Sequence, residues 1–257
     1  MTRTSLLILA LLSSNGCEPV PRDSAVDDTW SLDLVQVPAG PFWMGCNAEV
    51  DVACDLDELP FHEVRLSGFG VLETEVSQAA WQACVDGGSC DELVLPVGAE
   101  RHPQLPATGV TRRQGEAFCE WAGLRLPTEA QWEKAARGEG GQLYPWGDAS
   151  PDCGLANGRG CGRDLLPVRS LGAGVSPYGA LQMSGNAWEW VSDGYDATYY
   201  AESPSDDPTG PELDSLGQLR GVSTYSSDGA LRASNRQITV ASMTCPLCGV
   251  RCVGDLP

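Results

Sequence analysis

Basic residues are scarce in this chain and histidine is almost absent: 16 Lys plus Arg face 35 Asp plus Glu, with two His, for a formal net charge of -19. A surface of that sign repels phosphate backbones and anionic headgroups, so nucleic acid is not an expected partner. His62 and His102 are the only imidazoles, and neither has the neighbours of a nucleophile relay. Long apolar runs are also missing: beyond the run ending at Leu12, no segment offers the roughly 20 apolar residues that cross a bilayer. The 42% hydrophobic and 20% charged residues exclude a mainly disordered chain, and 257 residues suffice to bury a core. What is abundant is 30 Gly, 18 Pro and 8 Trp, which implies loops pinned by turns and aromatic anchors instead of a helical bundle.

Residues 1–16 hold Arg3, the apolar run Leu6 to Leu12, and Ser13-Ser14-Asn15-Gly16, the pattern of an export signal. A small residue before Cys17 resembles the lipobox of bacterial lipoproteins, although Ser14 stands where that motif usually has Leu. An exported chain acylated at Cys17 is expected, on a bacterial cell-envelope surface, touching membrane only through that lipid. Residues 17–33 are Pro-containing and acidic without apolar periodicity and read as a tether. Of 11 Cys, Cys17 leaves ten, an even number suited to an oxidising compartment. Cys46 with Cys54, Cys84 with Cys90, and Cys153 with Cys161 are close enough for loop closure to favour local pairing, though connectivity stays open at this level.

The folded part begins near Leu34. Val35, Val37, Phe42 and Met44 flank the turn Pro38 to Pro41 and suggest a hairpin, and His62 to Leu66 alternates as a half-buried strand does. Ser77 starts one helix; Thr111 with Gln114 and Thr128 with Gln131 give two capping-box starts, closed at Gly123 and Gly138. Beyond Gly138 no long helix is expected. The acidic run Asp51, Asp55, Asp57, Glu58 reads as a solvated loop.

In order along the chain stand Val37 to Gly45 (VPAGPFWMG), Glu73 to Ser77 (ETEVS), Trp121 to Glu133 (WAGLRLPTEAQWE), Tyr144 to Asp148 (YPWGD), Ser176 to Ala180, Gly185 to Trp190 (GNAWEW) and Gly249 to Cys252 (GVRC). This series resembles the formylglycine-generating enzyme (sulfatase-modifying factor) family over residues 34–254. The resemblance implies one domain of α+β class with the C-type-lectin-like fold of that family, little regular secondary structure and many disulfides. Its oxidase members bind copper through two Cys separated by four residues after a Gly-Gly-Ser-aromatic phrase. The matching stretch here, Arg220 to Arg232, has no Cys, and Ser226 stands at the first thiol position. A hydroxyl is a poor ligand for Cu(I), so copper and the oxidase reaction are not expected.

The resemblance also implies a Cys119–Cys252 bridge, which leaves Cys245 and Cys248 to pair with each other. It implies a calcium site from Gln182, Gly185, Ala187 and Glu189, where Glu189 brings the only formal charge, and a second such site beginning at Asn157. Arg232 and Arg236 flank the degenerate groove with Ser226; structural pairing with buried acids is the expected role, and contact with an anionic ligand is the alternative. The expected function is a monomeric, non-oxidase domain that binds a protein, peptide or glycan in that groove. The alternative is a formylglycine-generating-type oxidase, or another oxidoreductase, using Cys245 and Cys248.

Overall fold

The computed structural model describes residues 30–95, 101–162, 164–212 and 215–256. The signal segment 1–16 and Cys17 lie outside the described residues. None of the described helices is long and apolar enough to cross a membrane.

Three helices form where the capping signals place them. Ser77 caps α1 (Gln78–Asp86), Thr111 caps α2 (Arg112–Trp121) and Thr128 caps α3 (Glu129–Arg137). In α2 and α3 the reciprocal bond from Gln114 or Gln131 completes the box, so the first-turn donors are satisfied before any packing. The strands are β1 (Leu34–Val37), β2 (Gly40–Met44), β3 (His62–Leu66), β4 (Phe69–Leu72), β5 (Trp188–Gly194), β6 (Leu216–Arg220), β7 (Gln237–Val240), β8 (Cys248–Gly249) and β9 (Val253–Asp255). They make three small sheets, ordered β1-β4-β9, β2-β3 and β7-β6-β5-β8.

The turn Pro38 to Pro41 does not close a hairpin. β1 pairs antiparallel with β4, and β2 pairs antiparallel with β3, so the chain changes sheet at the turn. Gly40 sits at φ 138°, and Lys134 Nζ donates to the carbonyls of Pro38 and Gly40, both at 2.8 Å. A buried ammonium from α3 therefore takes the carbonyls that a hairpin turn would have kept.

Two apolar clusters share the interior. One gathers Phe42, Val64, Phe69, Trp132 and Met183 under α3; the other stacks Trp81 on Phe118 with ring centroids 5.3 Å apart and adds Trp190, Leu219 and Val250. Five disulfides close the loops: Cys46–Cys54, Cys84–Cys90, Cys153–Cys161, Cys245–Cys248 and, across 133 residues, Cys119–Cys252. Trp30 to Asp33, the end of the expected tether, already rests on the domain: Glu73 N–H donates to Asp33 O at 2.8 Å, and Trp30 meets Trp121 with centroids 5.7 Å apart.

Between the clusters runs a charged lattice. Arg220, 0% exposed, donates to Glu129 at 2.9 Å, to Glu133 at 2.7 Å and to Ala233 O at 2.6 Å. Arg236 reaches Glu129 at 2.8 Å, and Arg137 reaches Glu133 at 2.9 Å. Burial pushes the Glu133 carboxyl up, but Arg220 and Arg137 outweigh it and hold the group below the usual carboxylate range. Breaking one side of a buried pair strands a charge and costs about 3–5 kcal/mol. Arg220→Met should therefore lower the urea-unfolding free energy of the oxidised protein by about that much, whereas Arg65→Met, which breaks the exposed pair with Glu63, should cost under about 1 kcal/mol. Equal losses in the two variants would mean that the lattice carries no stability of its own.

Candidate functional site

β6 ends at Arg220 and the chain turns at once into the segment where the thiols of an oxidase would stand. Gly221 and Val222 both take positive φ, 83° and 58°. A β-branched residue there is strained; the Val222 side chain is nonetheless buried with Ala156 and Leu231 in a third apolar cluster. The turn that follows is closed by Ser226 N–H to Ser223 O at 2.9 Å and by Ser223 N–H to Ser226 Oγ at 3.1 Å. Ser226 thus spends its hydroxyl as a turn acceptor. After four intervening residues, the second thiol position is Leu231, 3% exposed. A hydroxyl and a buried isobutyl group offer Cu(I) nothing to bind, and the residues present do not fit a copper centre.

Around this turn lie Tyr144 and Trp146, stacked with centroids 5.0 Å apart, the exposed Tyr225, and the loop closed by Cys46–Cys54. Arg232 links the loop to the turn. It donates to Glu58 Oε1 at 2.9 Å and Asp51 Oδ2 at 3.1 Å from one side and to Gly229 O at 2.9 Å from the other. Burial pushes Glu58 up despite that partner. Arg236 is spent on Glu129 and on Asp57 O at 2.6 Å and lies 4.4 Å from the Tyr200 ring centre. Neither guanidinium is available to an anionic ligand: both hold the surrounding loops in place. Asp51 and Glu58, 7% and 0% exposed, are likewise internal partners and not part of a solvated run.

The expected cation ligands sit together but are differently engaged. Glu189 is fully buried; Arg251 donates to it at 2.7 and 3.0 Å, and the Trp132 indole at 2.6 Å. Arg251 also donates to Leu72 O and Leu181 O, both at 2.8 Å, which places this pair at the crossing of three segments. Gln182 Nε2 donates to Pro167 O at 2.7 Å, and its Oε1 is buried with no partner among the described residues. A second orphan is Glu75 Oε2. Its other oxygen accepts from Asn186 Nδ2 at 2.9 Å, and Asn186 also donates to Leu166 O, beside the Pro167 carbonyl that Gln182 uses. Burial, reinforced by the nearby Glu189, pushes Glu75 up to about 8. Gly185 must lack a side chain, since a Cβ there would lie 2.7 Å from Asn157 O. Asn157 itself is buried, its Nδ2 donating to Asp164 O and Asn186 Oδ1, each at 3.0 Å. Two orphaned oxygens, one of them on a carboxyl, are what a hard cation would satisfy, so the residues present fit calcium, with Glu75 as an anionic ligand the sequence did not single out.

Cys245 and Cys248 form their own disulfide, with Cys248 fully buried in β8 beside β5. A concavity of about 460 Å³ lies elsewhere, between Leu66, Glu120, Thr128 and Asp255.

The chain is similar to known proteins in sequence and fold. The sulfatase-modifying factor enzyme 1-like domain matches residues 24–256. The formylglycine-generating enzyme of Streptomyces coelicolor is 32% identical over 281 aligned positions, covering 86% of this chain and 88% of that protein. The hercynine oxygenase of Mycolicibacterium smegmatis is 32% identical over 79% of this chain, which spans 56% of that longer protein. PvdO from Pseudomonas aeruginosa has the same fold, with a TM-score of 0.73, 24% identity, and 87% and 94% of the two chains covered. Treponema denticola variable protein 1 superposes with a TM-score of 0.70 at 22% identity, over 87% and 95%.

One more buried acid has a measurable consequence. Asp193 accepts from the first-turn N–H of Glu129 at 2.8 Å, and Gly210 packs so tightly against it that a Cβ would lie 2.0 Å from Oδ1. Burial and then the Glu129 charge push the Asp193 carboxyl above its usual range. A carboxyl raised on folding keeps a proton in the native state that the unfolded state has lost, so stability is full at low pH and declines as pH rises past about 4. Asp193→Asn should flatten the fall of melting temperature between mildly acidic and neutral pH. A variant profile as steep as the parent's would show that Asp193 does not titrate in that window.

Proposed function

Because the chain belongs to the sulfatase-modifying factor enzyme 1-like family, we propose that it uses the family groove to bind a protein, peptide or glycan without performing the copper-dependent oxidation. The observation that carries this reading is the pair Ser226 and Leu231: one is a turn acceptor and the other is packed against Ala156 and Val222. Oxidation of a substrate thiol through copper needs two soft ligands at those places, and neither residue is one. Around them the groove keeps features useful for recognition: the stacked Tyr144 and Trp146, the exposed Tyr225, and backbone loops fixed by Arg232 and Arg236. Rigid aromatic surface and fixed loops lower the ordering cost of binding.

In this reading the protein is an exported, lipid-anchored monomer of the bacterial cell envelope, supported by the apolar segment Leu6 to Leu12 and the small residue before Cys17. Calcium belongs to the fold and not to chemistry in the groove. Gln182 and Glu75 would hold it with the carbonyls of Gly185 and Ala187, while Glu189 stays with Arg251.

Two outcomes are expected. Purified protein with copper and oxygen should leave a Cys-x-Pro-x-Arg sulfatase peptide unmodified by mass spectrometry; aldehyde above a heat-killed control would overturn the reading. Saturating calcium should stabilise the parent by about 2.7 kcal/mol at a hundredfold excess over Kd, seen as a rise in melting temperature, and Glu75→Gln should abolish most of that rise. Glu189→Gln, by contrast, should lower the calcium-free melting temperature, because it breaks the buried pair with Arg251. An equal calcium response in Glu75→Gln and the parent would place the ion elsewhere.

A further inference from the structure

Beside the groove, the loop Cys46–Cys54 and the 3-10 turn that follows it expose aliphatic surface to an unusual degree. Val52 is 104% exposed, Leu56 88% and Val50 67%. Folding normally hides such side chains, and three of them together mark an interaction surface. The loop is not loose. The disulfide closes it, Val50 and Asp51 N–H both donate to Asn47 O, Ala53 N–H donates to Asp51 Oδ1 at 2.9 Å, and Asp51 turns inward to Arg232 at 3.1 Å. Alternation then sends Val50 and Val52 outward on either side of the anchored Asp51.

The collar of this apolar tip is acidic. Glu49 and Asp55 are exposed on the loop, Asp228 is exposed on the facing turn, and the nearby Arg232 cation is buried and paired. Arg232 places the loop and the facing turn side by side, donating to Asp51 Oδ2 at 3.1 Å and to Gly229 O at 2.9 Å. A second copy of the chain would bring the same collar and the same net charge of -19, and an anionic lipid surface would be repelled in the same way. Charge complementarity selects a cationic occupant.

We propose that Val50, Val52 and Leu56 form a rigid docking element for a basic polypeptide segment in which aliphatic side chains alternate with Lys or Arg. The proposal rests on the groove-binding reading and names the chemistry of its ligand. The aliphatic groups of the segment cover the tip, and its cations face Glu49, Asp55 and Asp228. Because the disulfide and Arg232 order the loop in advance, little conformational entropy is lost on docking.

The test titrates the purified protein with a fluorescent alternating Lys-Leu peptide, with Lys-Ser and Glu-Leu peptides as controls. The Lys-Leu peptide should bind about tenfold or more tightly than Lys-Ser, weaken with added salt, and outcompete Glu-Leu. Val50→Ser/Val52→Ser/Leu56→Ser should bring Lys-Leu down to the Lys-Ser level with an unchanged melting temperature, while Ile238→Ser/Val240→Ser/Met243→Ser, on β7 and the turn after it, should bind as the parent does. Loss in Tyr225→Ala but not in the loop variant would overturn the docking element and leave the groove reading standing. Loss in the loop variant but not in Tyr225→Ala would keep the element and remove the groove from recognition. Equal binding of all peptides, or loop-dependent binding to phosphatidylglycerol vesicles in place of the peptide, would overturn the proposal.

Discussion

Glu129 and Glu133 lie one turn apart on the same face of α3, and between them they hold Arg220 from β6, Arg236 from the loop after it, and Arg137 from their own helix. Each guanidinium has donors to spare. Arg220 adds Ala233 O, Arg236 adds Asp57 O, and Arg137 adds the carbonyls of Gly45 and Gln142. A set of apolar residues of the same volume would remove the desolvation penalty, but it would leave those buried carbonyls unpaired, at about 1–3 kcal/mol each. In a chain with so little regular structure, carbonyls outside helices and sheets are many, and a planar fork with five N–H donors is well suited to satisfy them. The lattice is how loops become as fixed as strands.

The segment from Arg220 to Arg232 inherits this. The loops around it are tied by Arg232 to Gly229 O and Asp51 and by Arg236 to Asp57 O, not by strand pairing. Ser226 and Leu231 contribute no side chain to the lattice, so side chains at these two places can differ without disturbing that frame. Fold and chemistry are carried by separate residues here.

What could be read from the sequence was what depends on neighbours along the chain. Ser77, Thr111 and Thr128 start helices because capping is complete within four residues. The resemblance carried the fold class, since phrases such as GNAWEW and LPTEAQWE keep their order even where spacing varies. What could not be read was long-range. The turn Pro38 to Pro41 has the local chemistry of a hairpin, but its carbonyls belong to Lys134, almost a hundred residues away. Arg232 and Arg236 were expected to pair with buried acids, and they do, but which acids they meet, Asp51, Glu58 and Glu129, lies far along the chain and outside any local pattern. Glu75 was visible only as part of a family phrase; a lone acid between Thr74 and Val76 at a strand-to-helix junction was the one local sign that its carboxyl goes inward.

Lys134 is the chain's only lysine, and it is 0% exposed with its ammonium bonded to Pro38 O and Gly40 O. The outer face of the protein therefore carries no lysine amine at all, and every surface cation is an arginine. Reagents that acylate amines, whether cross-linkers, biotin esters or endogenous acyl donors, find no side chain to modify in the native state. Proteases that cut after lysine meet a single bond, and it lies inside α3. In an environment rich in such activities, the molecule is hidden by composition as much as by folding.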